Sequence, residues 1–422
     1  MKMLIRQARI VDPTSPLHNQ QLDIFINNGI IKEIAPTLDV SFDREISFDD
    51  LHVSPGWVDI FSHFNDPGYE QKETLETGAK AAAAGGFTHV FLLPNTTPCI
   101  HNKAGVEYIV QRSKNFATTL LPIATVTKNT EGKELAEMYD MHASGAIAFS
   151  DGLNSIQSSG LNLKALQYLK AINGVLIQVP NDHSIGTNGL MNEGIVSTRL
   201  GLPGQPSIAE ELMIRRDIEL VKYTGSAIHF TGISTKGSIE LIKAAKSKGL
   251  PVTCSVTPHH LWFTDEDLQT YDTNLKVTPP LRTSADKKAL QEAALDGTID
   301  CIASHHLPQD FDNKVVEFEY AKPGMIGLQT AFAVVKTVLP QISVERLIEL
   351  FSTAPRKIFG LETSIVEGAS AVLSLFQPFR EWTLNKNDIL SKSKNSPFVG
   401  KNLTGKPLGI IHKDEVFLAP YE

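Results

Sequence analysis

Between Trp57 and Ala303 the chain repeats one alternation: a short apolar run, then in most cases a stretch with helical periodicity. The runs are Trp57–Ile60, His89–Leu93, Leu120–Val126, Ala146–Phe149, Val175–Val179, Ala227–Phe230, Val252–Val256 and Asp300–Ala303. Amphipathic helices are predicted over Gln71–Ala84, Ala104–Ser113, Glu131–Ser144, Leu163–Ala171, Ile208–Tyr223, Lys236–Ser247 and Lys287–Leu295. Short β-rich runs separated by helices indicate parallel strands covered by those helices. Eight such units over about 300 residues predict closure into an α/β fold, the (β/α)8 TIM barrel.

The flanks have another texture. Lys2–Val11 is strand-like, and Leu22–Ile34 reads as two strands around the turn signal Asn27-Asn28-Gly29. The tail returns to short β-type segments at Ala371–Phe376, Gly409–His412 and Val416–Leu418. The two flanks are expected to pair into a small β-sandwich domain built from both termini. Residues 1–52 and 363–422 would form it, with the barrel, 53–362, inserted between them.

A chain of 422 residues, 42% hydrophobic, can bury a barrel and a satellite core. Its formal charge of −8, with no long basic run, argues against nucleic acid and anionic membranes as partners. Ala81–Asn102 lacks charged residues, but Gly85-Gly86 interrupts it and Pro94-Asn95-Thr96-Thr97-Pro98 closes it, so a helix, a turn and a buried strand are expected instead of a membrane span. Met1–Asp12 has no signal-peptide core, and Cys99, Cys254 and Cys301 show no CxxC spacing. A cytoplasmic protein with reduced thiols is the expectation.

Function in such a barrel gathers where loops leave the C-terminal ends of the strands. The polar residues there are Ser62-His63-Phe64-Asn65, Pro94-Asn95-Thr96, Ser150-Asp151, Gln178, Thr231-Gly232, Pro258-His259-His260 and Ser304-His305-His306. Each has a plain structural alternative. A lone His63 is more often a hydrogen-bonded wall residue than a ligand, and Asp151 before Gly152 can hold a turn. The tandem histidines are expected on extended segments, so at most one of each pair would face a common site.

At Pro55-Gly56-Trp57-Val58-Asp59-Ile60-Phe61-Ser62-His63 the sequence resembles the amidohydrolase superfamily, and dihydroorotases in particular. Further matches run through Asp66-Pro67-Gly68, Lys72-Glu73-Thr74, Ala148-Phe149-Ser150-Asp151, Met191-Asn192-Glu193-Gly194, Pro279-Pro280-Leu281-Arg282, Gly327-Leu328-Gln329-Thr330 and Ser391–Phe398. The similarity is to the dihydroorotase type that associates with aspartate carbamoyltransferase. It implies interconversion of carbamoyl-aspartate and dihydroorotate at a zinc centre that polarises the amide carbonyl and activates water.

Carried onto this chain, that implication fails at most positions. The first-strand His-x-His stands as Phe61-Ser62-His63, and the arginine that would grip a substrate carboxylate is Asn65. Asn95 matches a substrate-binding residue, and Asp151 matches a metal-bridging carboxylate whose usual neighbouring aspartate is Gly152. Ligand histidines are replaced by Gln178 and Gly232, while His229 is kept inside a strand. The proton-shuttling aspartate is His305, a substrate-contacting histidine is Gln309, and an expected asparagine is Thr278. Catalytic zinc usually needs three protein ligands.

The expectation is therefore a non-catalytic dihydroorotase homologue of pyrimidine biosynthesis. It would be a homo-oligomer without a bound cofactor, and a structural or regulatory partner of aspartate carbamoyltransferase. Two alternatives stand beside it. One is an active cyclic-amide hydrolase holding one Zn²⁺ weakly through His63, Asp151 and His305. The other is a metabolite-binding module that uses Asn95 and the Met191–Gly194 loop.

Overall fold

The computed structural model describes residues 1–420. Eight parallel strands form the barrel in sequence order: Trp57–Ser62, Phe87–Leu92, Thr119–Ala124, Ala148–Phe149, Leu176–Gln178, Ile228–Phe230, Val252–Val256 and Cys301–Ile302. The ring closes between its ends. Ser62 and His306 form a parallel bridge, and the His63 amide donates to the His306 carbonyl at 2.9 Å. Each strand overlaps an apolar run of the sequence.

The helices start where capping chemistry allows. Thr74, Asn102, Ser158, Thr235 and Thr283 each cap the helix that follows by accepting a backbone N–H. The helix expected over Glu131–Ser144 shrinks to Met138–Ala143. Asn129, Thr130 and Gly132 take positive φ, and Leu135 bridges back to Thr127, so the preceding segment is extended.

The second sheet joins both flanks. Strands Lys2–Ile10, Gln21–Asn27, Ile30–Ala35 and Arg44–Ile46 come from one end, and Leu373–Thr383, Asn402–His412 and Glu415–Leu418 from the other. His52–Pro55 lies between them, parallel to the first strand and antiparallel to Leu373–Phe376. Asn28 and Gly29, at φ 50° and 71°, make the expected turn. Two of the tail's apolar runs are parts of eleven-residue strands, and Val416–Leu418 falls in the four-residue strand that follows. Register shifts between Leu375 and Phe376 and between Gln377 and Glu381 break the alternation, which hid the length of the first from sequence reading.

An aromatic cluster joins the barrel to this sheet. Trp57 stacks on Phe332 at 4.5 Å and packs against Phe87, Phe351 and Phe376 of the C-terminal strand. Its backbone N–H donates to the Ser374 hydroxyl at 2.8 Å. No helix among the described residues is long and apolar enough to cross a membrane.

Candidate active site at the barrel mouth

Strand alternation puts residues two apart on one face, so Phe61 and His63 look into the same space. A cavity of about 370 Å³ opens there, lined among others by Phe61, His63, Asn65, Thr278, His305 and Gln309. The first-strand and eighth-strand positions singled out in the sequence thus converge. Asn95, Asp151, Gln178 and Gly232 stand around this space without lining it. The lining also holds Tyr69, Lys72, Leu153, Val179, Leu307 and Pro323, which sequence reading did not assign to the site. Lys72 was visible only as part of the family stretch Lys72-Glu73-Thr74.

Most of the polar groups are already engaged. His63 Nε2 donates to the Asn95 carbonyl at 3.1 Å, and burial pushes its pKa down to about 4. Asn95 holds the loop after the fourth strand with both ends of its amide: Nδ2 donates to the Asp151 carbonyl at 3.1 Å, and Oδ1 accepts from the Leu153 amide at 3.0 Å. Asp151 accepts from the amides of Val126 at 3.0 Å and Thr127 at 2.9 Å, and from the Thr127 hydroxyl. Burial raises its pKa to about 6, against the pull of those donors.

The positions at which replacements were expected fit one another. Phe61 and His305 lie ring against ring, with centroids 4.4 Å apart and planes 30° from parallel. His305 Nε2 pairs with the Thr231 hydroxyl at 2.9 Å, and burial pushes the imidazole down to about 3. Gly232 has φ 70°, and a Cβ there would meet His305 Cε1. Gly152 is similar, with φ 62° and no room for a Cβ beside the Asn95 amide oxygen. Gln178 turns from the mouth, its Nε2 placed 3.4 Å from Asp217. Asn65, at φ 60°, adopts the left-handed conformation that asparagine tolerates better than most residues. Gln309 donates to the Pro323 carbonyl at 3.0 Å, while its Oε1 has no partner among the described residues.

The tandem histidines divide differently from expectation. His259 and His260 are on a short helix, Pro258–Trp262, with rings 4.7 Å apart, so the alternation rule does not apply to them. His260 pairs with the Thr257 hydroxyl at 2.7 Å and donates to the Pro279 carbonyl. His305 and His306 do diverge: His305 enters the mouth, and His306 Nε2 reaches the buried Glu73 carboxylate at 3.3 Å.

These residues do not suit zinc. Phe61 and Gly232 bring no donor atom, Asp151 spends both carboxylate oxygens on Val126 and Thr127, and His63 and His305 each have one ring nitrogen engaged in the wall. Among the described residues no three His, Cys, Asp or Glu side chains are grouped to hold a metal ion.

Comparison with known proteins places this geometry in context. Residues 51–238 match the family model described as dihydro-orotase-like. Proteins named dihydroorotase from Caldanaerobacter subterraneus subsp. tengcongensis and Syntrophus aciditrophicus are 41% and 39% identical to the chain. Those alignments cover 96% of this chain and 94% and 96% of the relatives. The L-hydantoinase of Arthrobacter aurescens shares the fold over 100% of this chain and 96% of its own, with TM-score 0.87 at 23% identity. The dihydropyrimidinase of Brevibacillus agri NCHU1002 gives 0.85 at 18% identity over 99% and 95%. With full-length relatives at this level of identity, the chain belongs to the dihydroorotase family.

Proposed function

We propose that this chain is a dihydroorotase homologue of pyrimidine biosynthesis that does not hydrolyse its family's cyclic amide. The observation that carries this reading is the packing of Phe61, His305 and Gly232. The ring and the imidazole pack together, and His305 lies where a side chain on Gly232 would go. Side chains that close over one another in this way form a wall, and no water-activating centre can be assembled from them without rearrangement. Its role is then structural or regulatory, in a homo-oligomer or with aspartate carbamoyltransferase. No similarity found for the chain speaks for that partner.

The relatives favour a second reading, an active cyclic-amide hydrolase. They carry the name dihydroorotase and match the chain nearly end to end. The similarity supports this alternative better than it supports a partner role. One experiment separates the two: metal content and dihydroorotate hydrolysis, measured on the purified protein with and without added zinc. The non-catalytic reading expects no turnover in either condition, and zinc-dependent turnover ends it. Co-purification with aspartate carbamoyltransferase tests the partner role separately; a chain that stays alone in its presence counts against that role.

A further inference from the structure

A second cavity, of about 510 Å³, lies beside the mouth and shares only Gln309 with its lining. That volume is within the range of about 300–1,000 Å³ usual for small-ligand sites. Four lysines line it: Lys314 from the segment after the eighth strand, and Lys386, Lys392 and Lys394 from the C-terminal segment. Asp310 is the one carboxylate among the described lining residues, and its Oδ1 already accepts from the Asn313 amide and side chain.

None of the four ammoniums pairs with a carboxylate among the described residues. Lys392 gives one proton to the Glu70 carbonyl at 2.6 Å, and Lys394 gives two, to the Ile389 and Ser391 carbonyls. Lys314 is 6% exposed, and its Nζ donates to the Thr273 carbonyl at 2.7 Å and the Lys322 carbonyl at 2.9 Å. An ammonium has three protons to give, so each of these keeps at least one.

Cations that are buried or crowded lose their hold on the proton. Burial pushes Lys314 down to about 7, Asp272 opposes that, and Lys276 adds to it. Lys394 is lowered by burial, supported by Glu73, and lowered further by Lys386. A polyvalent anion in the cavity would supply both the counter-charge and the acceptors that these groups lack. Phe311 and Val315, 73% and 62% exposed, line the same space. A flat ring can lie against that apolar edge while phosphates meet the ammoniums.

We propose that this cavity binds a nucleoside triphosphate, with its phosphates on Lys314, Lys386, Lys392 and Lys394 and its base on Phe311. The site is separate from the mouth, and the proposal holds whether or not the mouth hydrolyses a cyclic amide.

The test is isothermal titration calorimetry of the full-length protein with metal-free ATP, inorganic triphosphate and adenosine. ATP serves as the probe because stacking on an aromatic ring tolerates any base. The expected result is saturable binding of ATP, weaker binding of triphosphate and none of adenosine. Phe311→Ala should weaken ATP by roughly 5-fold or more and leave triphosphate unchanged. Lys386→Gln, at an exposed position, should weaken both by roughly 3-fold or more at low salt. Bound phosphate keeps the proton on Lys314, so ATP affinity should fall by roughly 5-fold or more between pH 7 and 8.5. That fall should disappear in Lys314→Met. Absence of ATP binding overturns the proposal, as does ATP binding that neither Phe311→Ala nor Lys386→Gln weakens. Triphosphate binding as tight as that of ATP overturns it too, because the base would then have no part. So does an affinity that the wild-type chain keeps unchanged across that pH range.

Discussion

A Cβ built on Gly232 would lie 2.7 Å from Cε1 of His305, closer than two such carbons can approach. The two positions are therefore sterically coupled: the imidazole occupies space that a side chain at 232 would need, and the glycine takes a φ that other residues resist.

Placing a histidine at 232, Gly232→His, is expected to destabilise the fold by about 2–4 kcal/mol, through left-handed strain and overpacking. Adding His305→Asp relieves the clash but not the strain. Urea unfolding of both singles and the double should show the double less destabilised than the sum of the singles. Additive costs would mean that the contact has no energetic consequence.

Stability should fall steeply in mild acid. Burial pushes His63, His260 and His412 down to about 4 and His229 and His305 to about 3. Their unfolded value is about 6.5, so the stability they contribute is complete above that pH and is lost as pH falls toward the folded values. Asp151 and Asp217 oppose this, because burial raises both to about 6. Their contribution is present in acid and is lost as pH rises through about 4 to 6. Among these seven groups, five histidines against two aspartates give a dependence of up to about 4 kcal/mol per pH unit between roughly pH 4.5 and 6. The further lowered histidines, His52, His89 and His259, are matched in number by the further raised aspartates, Asp59, Asp265 and Asp300. Urea midpoints at pH 5, 6 and 7 will show whether stability rises with pH as required.

Glu73 ties the C-terminal domain to the barrel rim. Its fully buried carboxylate accepts from the Ser391 and Thr77 hydroxyls, the Lys392 amide at 3.0 Å and His306 at 3.3 Å. Glu73→Gln puts an amide donor among donors, and we expect a loss of about 2–4 kcal/mol. Trypsin should then cleave at Lys392 or Lys394 before other sites. An unchanged digestion pattern would show that the segment is held by other contacts.

Asn95 distinguishes wall from site. Both ends of its amide serve the loop at Asp151–Leu153, so Asn95→Ala should cost about 1–3 kcal/mol and loosen that loop. Faster hydrogen exchange at 151–153 is the measurement. Unchanged exchange with weakened ligand binding would return Asn95 to a substrate role.

The barrel was legible because each strand is a short apolar run and each run has a turn or cap beside it. The order of the strands followed from the alternation alone. Less could be read where distant residues decide the local outcome. Glu131–Ala136 lost its helix to positive φ at Asn129, Thr130 and Gly132, which helical periodicity does not register. His259-His260 became helical after a Thr257 cap and Pro258, a start signal overlooked in favour of tandem-histidine spacing. At the mouth, family motifs located Phe61, His63, His305 and Gln309 around one cavity. They could not show that Asp151 faces the backbone of Val126 and Thr127, or that Lys72 reaches the cavity, because both depend on loops far away in sequence.

The sheet shared by the two flanks also sets an order of events for the growing chain. His52–Pro55 emerges early, yet its antiparallel neighbour Leu373–Phe376 follows more than three hundred residues later. Until then one edge of that strand is bare, and Trp57 lacks Phe376 beside it. Unpaired strand edges attract other strands, so the newly made barrel half is exposed to mispairing until the last segments arrive. A translation pause or truncation before residue 373 should therefore yield aggregates, while one after residue 412 should leave a sheet able to close.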